Sequence, residues 1–267
     1  MTLSRELLHY AHEVDARLRD EVDSPAHVLL DELERVNSRH ARLYSIRYHW
    51  THLRDLQGSA RWIRIMKMEN SNFLALAVQV GLRKYVGAKL RQDASQIAKE
   101  GRPLLDYALR PHMGYLSHDL QVPLKDPLTM DVALVHLLLH FDPHQSLTIN
   151  KREVMLYPDA TPWTLFLALC YKRSLAPEFD RSAGLYPVTR HKVTDTHVQS
   201  WFETCEALLH AGADPNTSIR ITQELDVAGI IKEVFDEDKS AYLLRLMEEK
   251  RKEAEYAWQD AWNCTVM

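Results

Sequence analysis

The chain has 267 residues, 46% hydrophobic and 26% charged, a balance that excludes global disorder. A formal charge of -4 gives no net attraction to nucleic acid or anionic lipid, and basic residues gather only in short clusters such as Lys250-Arg251-Lys252. No apolar run reaches the ~18 residues that a bilayer span needs.

Acids and histidines follow Met1-Thr2-Leu3-Ser4-Arg5-Glu6, so a secretory apolar region is not expected. Cys170, Cys205 and Cys264 lie far apart without a CxxC pairing. Three free thiols in a reduced, intracellular setting is the reading, cytoplasmic with the nucleus left open. Neither phosphate-cradling glycine loop of the common nucleotide folds occurs.

In chain order, residues 3–50 read as helical. Leu7, Leu8, Ala11, Val14 and Leu18 form one stripe, and Ser24-Pro25 opens a second helix through Val28, Leu29, Leu30, Leu33, Val36 and Ala41. Gly58-Ser59 marks a break, and Trp62-Ile63-Arg64-Ile65-Met66 is either a short extended piece or a turn. From Asn70 a repeated pattern begins. Leu74 to Val80 reads as a first helix, Gly81 as a turn, and Leu82 to Leu90 as its partner. Pro103-Leu104-Leu105-Asp106-Tyr107-Ala108 restarts the pattern close to one ~33-residue period after Leu74. Its partner helix, Val132 to Leu139, arrives late, after an insertion at 111–128.

Thr161-Pro162-Trp163-Thr164-Leu165-Phe166-Leu167-Ala168 opens a third unit, and Trp201 to Leu209 closes it after a second insertion at 171–197. Then comes Leu208-Leu209-His210-Ala211-Gly212-Ala213-Asp214-Pro215-Asn216. Gly212 can take the left-handed conformation that ends a helix, and Asp-Pro-Asn is turn chemistry. Val227 to Phe235 and Ala241 to about Trp262 read as a closing helical pair.

These residues resemble the ankyrin repeat, whose units open on Thr-Pro-Leu-His; the histidine slot here holds Ala75, Asp106 and Thr164 in turn. The wording around Asn72–Leu82, Pro103–Pro111 and Thr161–Leu167 is similar to the C-terminal ankyrin regions of fungal NACHT-type, NOD-like receptor proteins. Residues 6–13 and 27–33 are similar to the helical connector of that group. The resemblance implies an all-α ankyrin-type solenoid. A helical connector (1–69) would precede about three divergent repeats (70–222) and a C-terminal helical cap (223–267).

It also implies recognition of a protein partner through turn tips and first helices, at Lys99, Glu100, Arg102, Asp106, Tyr157, Asp159 and Thr164. The alternative is an intramolecular regulatory segment that packs on an upstream nucleotide-triphosphatase domain. An enzyme is the third reading, and no catalytic, cofactor or metal residue is expected. No nucleic acid, membrane or small-molecule substrate is expected as a partner.

Other residues weigh less. His136, His140 and His144 are spaced for chelation but fall on outward positions, while Leu134, Leu137 and Leu138 face the core. His9 with His12 and His49 with His52 read as surface pairs. Cys170 and Cys205 read as core thiols, and no G-x-S-x-G elbow holds a serine nucleophile. Trp50, Trp62, Trp163 and Trp201 read as packing groups. Trp258 and Trp262 either cap the last repeat or form an interaction patch. Arg181-Ser182 and Arg190-His191-Lys192 make the second insertion positive, as a solvated loop or a docking site.

Overall fold

A computed structural model describes residues 10–15, 25–43, 72–98, 101–110, 128–151, 161–174, 193–220 and 224–265. The 62–66 piece, Lys99, Glu100, Tyr157, Asp159, the histidines at 9, 49 and 52, Trp50 and the middle of both insertions lie outside these residues. The described chain is mostly helical, with one two-stranded hairpin. It divides into two compact units: Met1–Pro127 with Ala133–Pro143, and Leu128–Val132 with His144–Met267. The expected boundaries at 69/70 and 222/223 each fall inside one unit.

In the first unit, residues 10–15 are helical and α1 spans Pro25–Leu43, with its proline at the first position where the missing N–H costs nothing. Next come α2 (Phe73–Gln79) and α3 (Arg83–Gln92), followed by a 3-10 turn at Ala94–Ala98 and α4 (Leu104–Leu109). Most of α5 (Val132–Phe141) belongs to the same unit.

Asn72 starts α2 by accepting the Ala75 N–H on its side chain at 2.8 Å. Gly81 ends it at φ +78, with the Leu82 N–H reaching back to the Ala77 carbonyl. Helix α2 packs on α3 and on α4. Gly87 of α3 faces α5 so closely that a Cβ there would lie 3.5 Å from Leu137. First helices thus meet first helices, and second helices meet second helices.

The second unit repeats this grammar. It contains α6 (Gln145–Ile149), α7 (Pro162–Ser174), α8 (Asp195–His210), strands β1 (Ser218–Arg220) and β2 (Glu224–Asp226), α9 (Val227–Val234) and α10 (Glu237–Thr265). The strands pair antiparallel with Ile219 opposite Leu225. Helix α7 packs on α9, and α8 on α10. Gly212 ends α8 at φ +91, with the Ala213 N–H reaching the Leu208 carbonyl, as Leu82 reaches Ala77. Asp226 starts α9 by accepting the Gly229 N–H at 2.6 Å, three residues on, as Asn72 does for α2.

The core of this unit centres on Trp163, Phe166, Trp201, Leu208 and Leu243, all fully buried. Each such side chain contributes roughly 1.5–3 kcal/mol by leaving water. Both indoles also spend their polar edge on a carbonyl: Trp201 Nε1 donates to Leu128 O at 2.7 Å and Trp163 Nε1 to Asp214 O at 3.2 Å. The expected α8 from Trp201 begins earlier, at Asp195, because the Thr194 N–H is held by His197 Nδ1 at 2.9 Å and the helix start moves upstream. Helical backbone likewise covers 171–174 and 195–197, at the edges of the second expected insertion. Helix α10 begins at Glu237 and runs past both C-terminal tryptophans, whose side chains lie outside the described residues.

Candidate functional site

Two of the residues expected to face a partner are buried, and the reason lies in their place on the helix. Asp106 and Thr164 are each 2% exposed. Both sit third in their helices, after the capping residues Pro103 and Thr161. A side chain at that position can fold back over the helix start. Thr164 does so: its hydroxyl accepts the Thr161 N–H at 2.8 Å, and its own N–H reaches Thr161 Oγ1 at 3.2 Å. The pair is a capping box built from two threonines.

Asp106 cannot copy that arrangement, because Pro103 has no N–H to offer. It turns instead to two arginines, each four residues away. Arg102 Nε donates to Oδ2 at 2.7 Å, and Arg110 donates through Nε to Oδ1 at 2.7 Å and through Nη2 to Oδ2. Arg102 also reaches the carbonyls of Asp106 and Arg110, and its guanidinium lies 4.1 Å over the Tyr107 ring. Burial alone would raise the Asp106 carboxyl. The charges of Arg110 and Arg102 outweigh burial and hold it at about 2. Arg102, Asp106 and Thr164 are therefore corrected from contact positions to internal ties.

The correction extends to whole helices. Phe73–Val78 in α2, Leu104–Leu109 in α4 and Pro162–Leu167 in α7 are buried without interruption. A helix half open to a partner would show exposure every third or fourth residue. Those stretches show none, and exposure returns only at Gln79 and from Ala168 to Ser174, where Lys172 is exposed.

Among the described residues, one built and accessible surface is the turn from Gly212 to Ser218, where Asn216 and Ser218 are exposed. Three helices brace it. From α6, Ser146 Oγ and Asn150 Nδ2 donate to the Gly212 carbonyl at 3.0 and 2.8 Å, and Asn150 Oδ1 accepts the Asp214 N–H at 3.0 Å. From α7 comes the Trp163 indole N–H already described. From α10, Arg251 Nε donates to Asn216 Oδ1 at 2.8 Å and Nη2 to the Pro215 carbonyl at 3.3 Å. Asp214 closes the turn on itself, accepting the Asn216 N–H at 2.8 Å. A turn fixed by so many bonds loses little entropy on binding.

Chemically reactive groups are placed otherwise. Burial, and then the neighbouring Cys205, pushes the Cys170 thiol well up, and burial does the same to Cys205. A thiol held protonated is a poor nucleophile. His136, His140 and His144 are exposed, with Leu134 and Leu138 buried on the other side of α5. Among the described residues, no three histidines, cysteines or carboxylates are grouped to hold a metal ion, and no helix is long and apolar enough to cross a membrane. No family model, curated protein or solved structure matches the chain.

Two features of this geometry were missing from the sequence reading. The i, i+4 ladder Arg102-Asp106-Arg110 was visible in the sequence as a carboxylate flanked by two arginines on one helix face. The brace from α6 was not, since Ser146 and Asn150 lie some sixty residues from Gly212.

Proposed function

We propose that the chain is a protein-recognition scaffold of divergent ankyrin-type repeats, binding through its braced turns rather than its first helices. The supporting observation is the common grammar of the helical pairs. Starts at Asn72, Thr161 and Asp226 hold the third residue's N–H, ends at Gly81 and Gly212 share one left-handed turn, and α2 on α4 and α7 on α9 stack like on like. Repeats built this way bury a continuous core and leave their turns to vary, which suits binding and gives no catalytic constellation.

The second reading, an intramolecular regulatory segment, is favoured by the closed first helices. In an ankyrin-type scaffold those faces are where a partner sits; here they are already covered. An association with a fungal NACHT-type triphosphatase belongs to this second reading and rests on the sequence resemblance alone.

Affinity capture of the full chain tests both. Ser218→Arg changes an exposed position of the turn and keeps the Arg251–Asn216 brace, and circular dichroism checks that the fold is kept. A discrete partner lost at least tenfold in this variant supports recognition through the turn. Capture of only an upstream triphosphatase domain from the same polypeptide supports the second reading. A partner held equally by both proteins contradicts the turn as the binding surface.

A further inference from the structure

The N-terminal helical segment, residues 10–15 and α1, is tied to α3 by two carboxylates. Asp15, 4% exposed, accepts the N–H groups of Lys84 at 3.0 Å and Tyr85 at 2.8 Å. These are the second and third residues of α3, whose own cap, Leu82, has no side-chain oxygen. Asp15 supplies the missing cap from about seventy residues away. Asp31 accepts the Tyr85 hydroxyl at 2.7 Å and pairs with Lys89 Nζ at 2.5 Å. Apolar support is thin. Ala11 and Leu30 are the only apolar side chains buried among the segment's described residues, whereas Tyr10, Val28, Leu29 and Val36 are exposed.

The contact also contains a penalty. His27 is buried beside Asp15, and among the described residues neither ring nitrogen has a hydrogen-bond partner. Nε2 stands 3.9 Å from Asp15 Oδ1, beyond hydrogen-bond range, and the ring meets Tyr85 edge-on at 5.5 Å. A ring so placed leaves both nitrogens without the hydrogen bonds that water would supply, a cost comparable with the hydrogen bonds the segment gains. Buried polar groups left unmatched in this way mark joints that open more readily than a core does.

We propose that residues 10–15 and α1 form a releasable strap, which opens locally while α2 and α3 stay folded. Release uncovers the start of α3: the Lys84 and Tyr85 N–H groups, and the Tyr85 ring with Phe73 against it at 5.8 Å. The strap is a conformational device of the fold, independent of which partner the turns bind.

Amide hydrogen exchange of the full chain, resolved by NMR, tests the strap. In the wild type, the Lys84 and Tyr85 amides exchange at least tenfold faster than that of Leu90 in the same helix, each relative to its intrinsic rate. Asp15→Ala raises exchange at those two amides about tenfold and leaves Leu90 unchanged. His27→Met removes the unmatched nitrogens, keeps an apolar contact with Tyr85, and slows the same two amides by roughly fivefold or more. Lys84 and Tyr85 exchanging in step with Leu90 in the wild type would overturn the strap, and so would faster exchange in His27→Met. If Asp15→Ala does not fold, the wild type and His27→Met carry the test alone.

Discussion

Asp106→Ala is expected to destabilise the chain by about 3–5 kcal/mol, as removal of one partner from a buried ion pair generally does. The substitution leaves Arg102 and Arg110, whose side chains are 8% and 6% exposed, without their shared carboxylate. It also deprives α4 of its internal tie. That helix has six residues, too few to persist without tertiary support. Urea denaturation followed by circular dichroism measures the loss.

Replacing all three charges, as Arg102→Met, Asp106→Leu and Arg110→Met together, should recover most of the stability, because apolar side chains of similar volume need no counter-charge. A triple variant as unstable as the single one would show that the cluster supplies more than charge balance. The same group sets an acid limit. Asp106 is held at about 2 against an ordinary 3.8. The stability it contributes is therefore complete above about pH 4 and is lost as pH falls through about 2, a swing on the order of 2 kcal/mol. Asp106→Asn should flatten that part of the stability–pH curve.

Gly212→Ala is the second large effect, on the order of 3 kcal/mol, from two separable causes. The backbone stands at φ +91, which an L side chain rarely adopts, and a Cβ there would lie 2.9 Å from the Ser146 Cβ. Removing that neighbour separates the causes. Gly212→Ala combined with Ser146→Gly relieves the contact while the backbone strain persists, so the pair should recover part of the loss and not all of it. Full recovery would mean that the contact alone was responsible. Thermal unfolding of the two variants, compared with Ser146→Gly by itself, distinguishes these outcomes.

The turn is also where sequence and structure agree most closely. Gly81 and Gly212 were readable because a left-handed helix end leaves glycine as the ready choice, and both lie at positive φ. Val227–Val234 and Val132–Phe141 were readable because apolar spacing fixes a helix face. What could not be read depends on contacts across the fold. Leu82 carries no capping oxygen, and nothing local announces that Asp15 provides one. Asp106 and Thr164 occupy the histidine slot of the first helices, which the ankyrin resemblance implies is on the partner-facing side. Position within the helix decided otherwise: at the third residue, one side chain caps the backbone and the other finds two arginines. Altering Arg102 or Asp106 therefore reports on folding.

The burial of the first helices bears on function more than any single residue does. Recognition by turns and occupation of the first-helix face are compatible within one molecule, and the strap on α3 shows how the chain can cover its own surface. The braced turn at Gly212–Ser218 offers the complementary property, an exposed edge already fixed in shape.

Hydroxyl-radical footprinting of the full chain, read by mass spectrometry, tests most directly whether the first helices are closed. The account expects Phe73, Tyr107, Trp163 and Phe166, all nearly inaccessible, to be oxidised at least tenfold more slowly than Tyr10 and Tyr256, which are 65% and 68% exposed, each relative to its intrinsic reactivity. Oxidation of the first-helix aromatics at rates matching Tyr256 would contradict it, and would return the first-helix face to the role of an open binding groove.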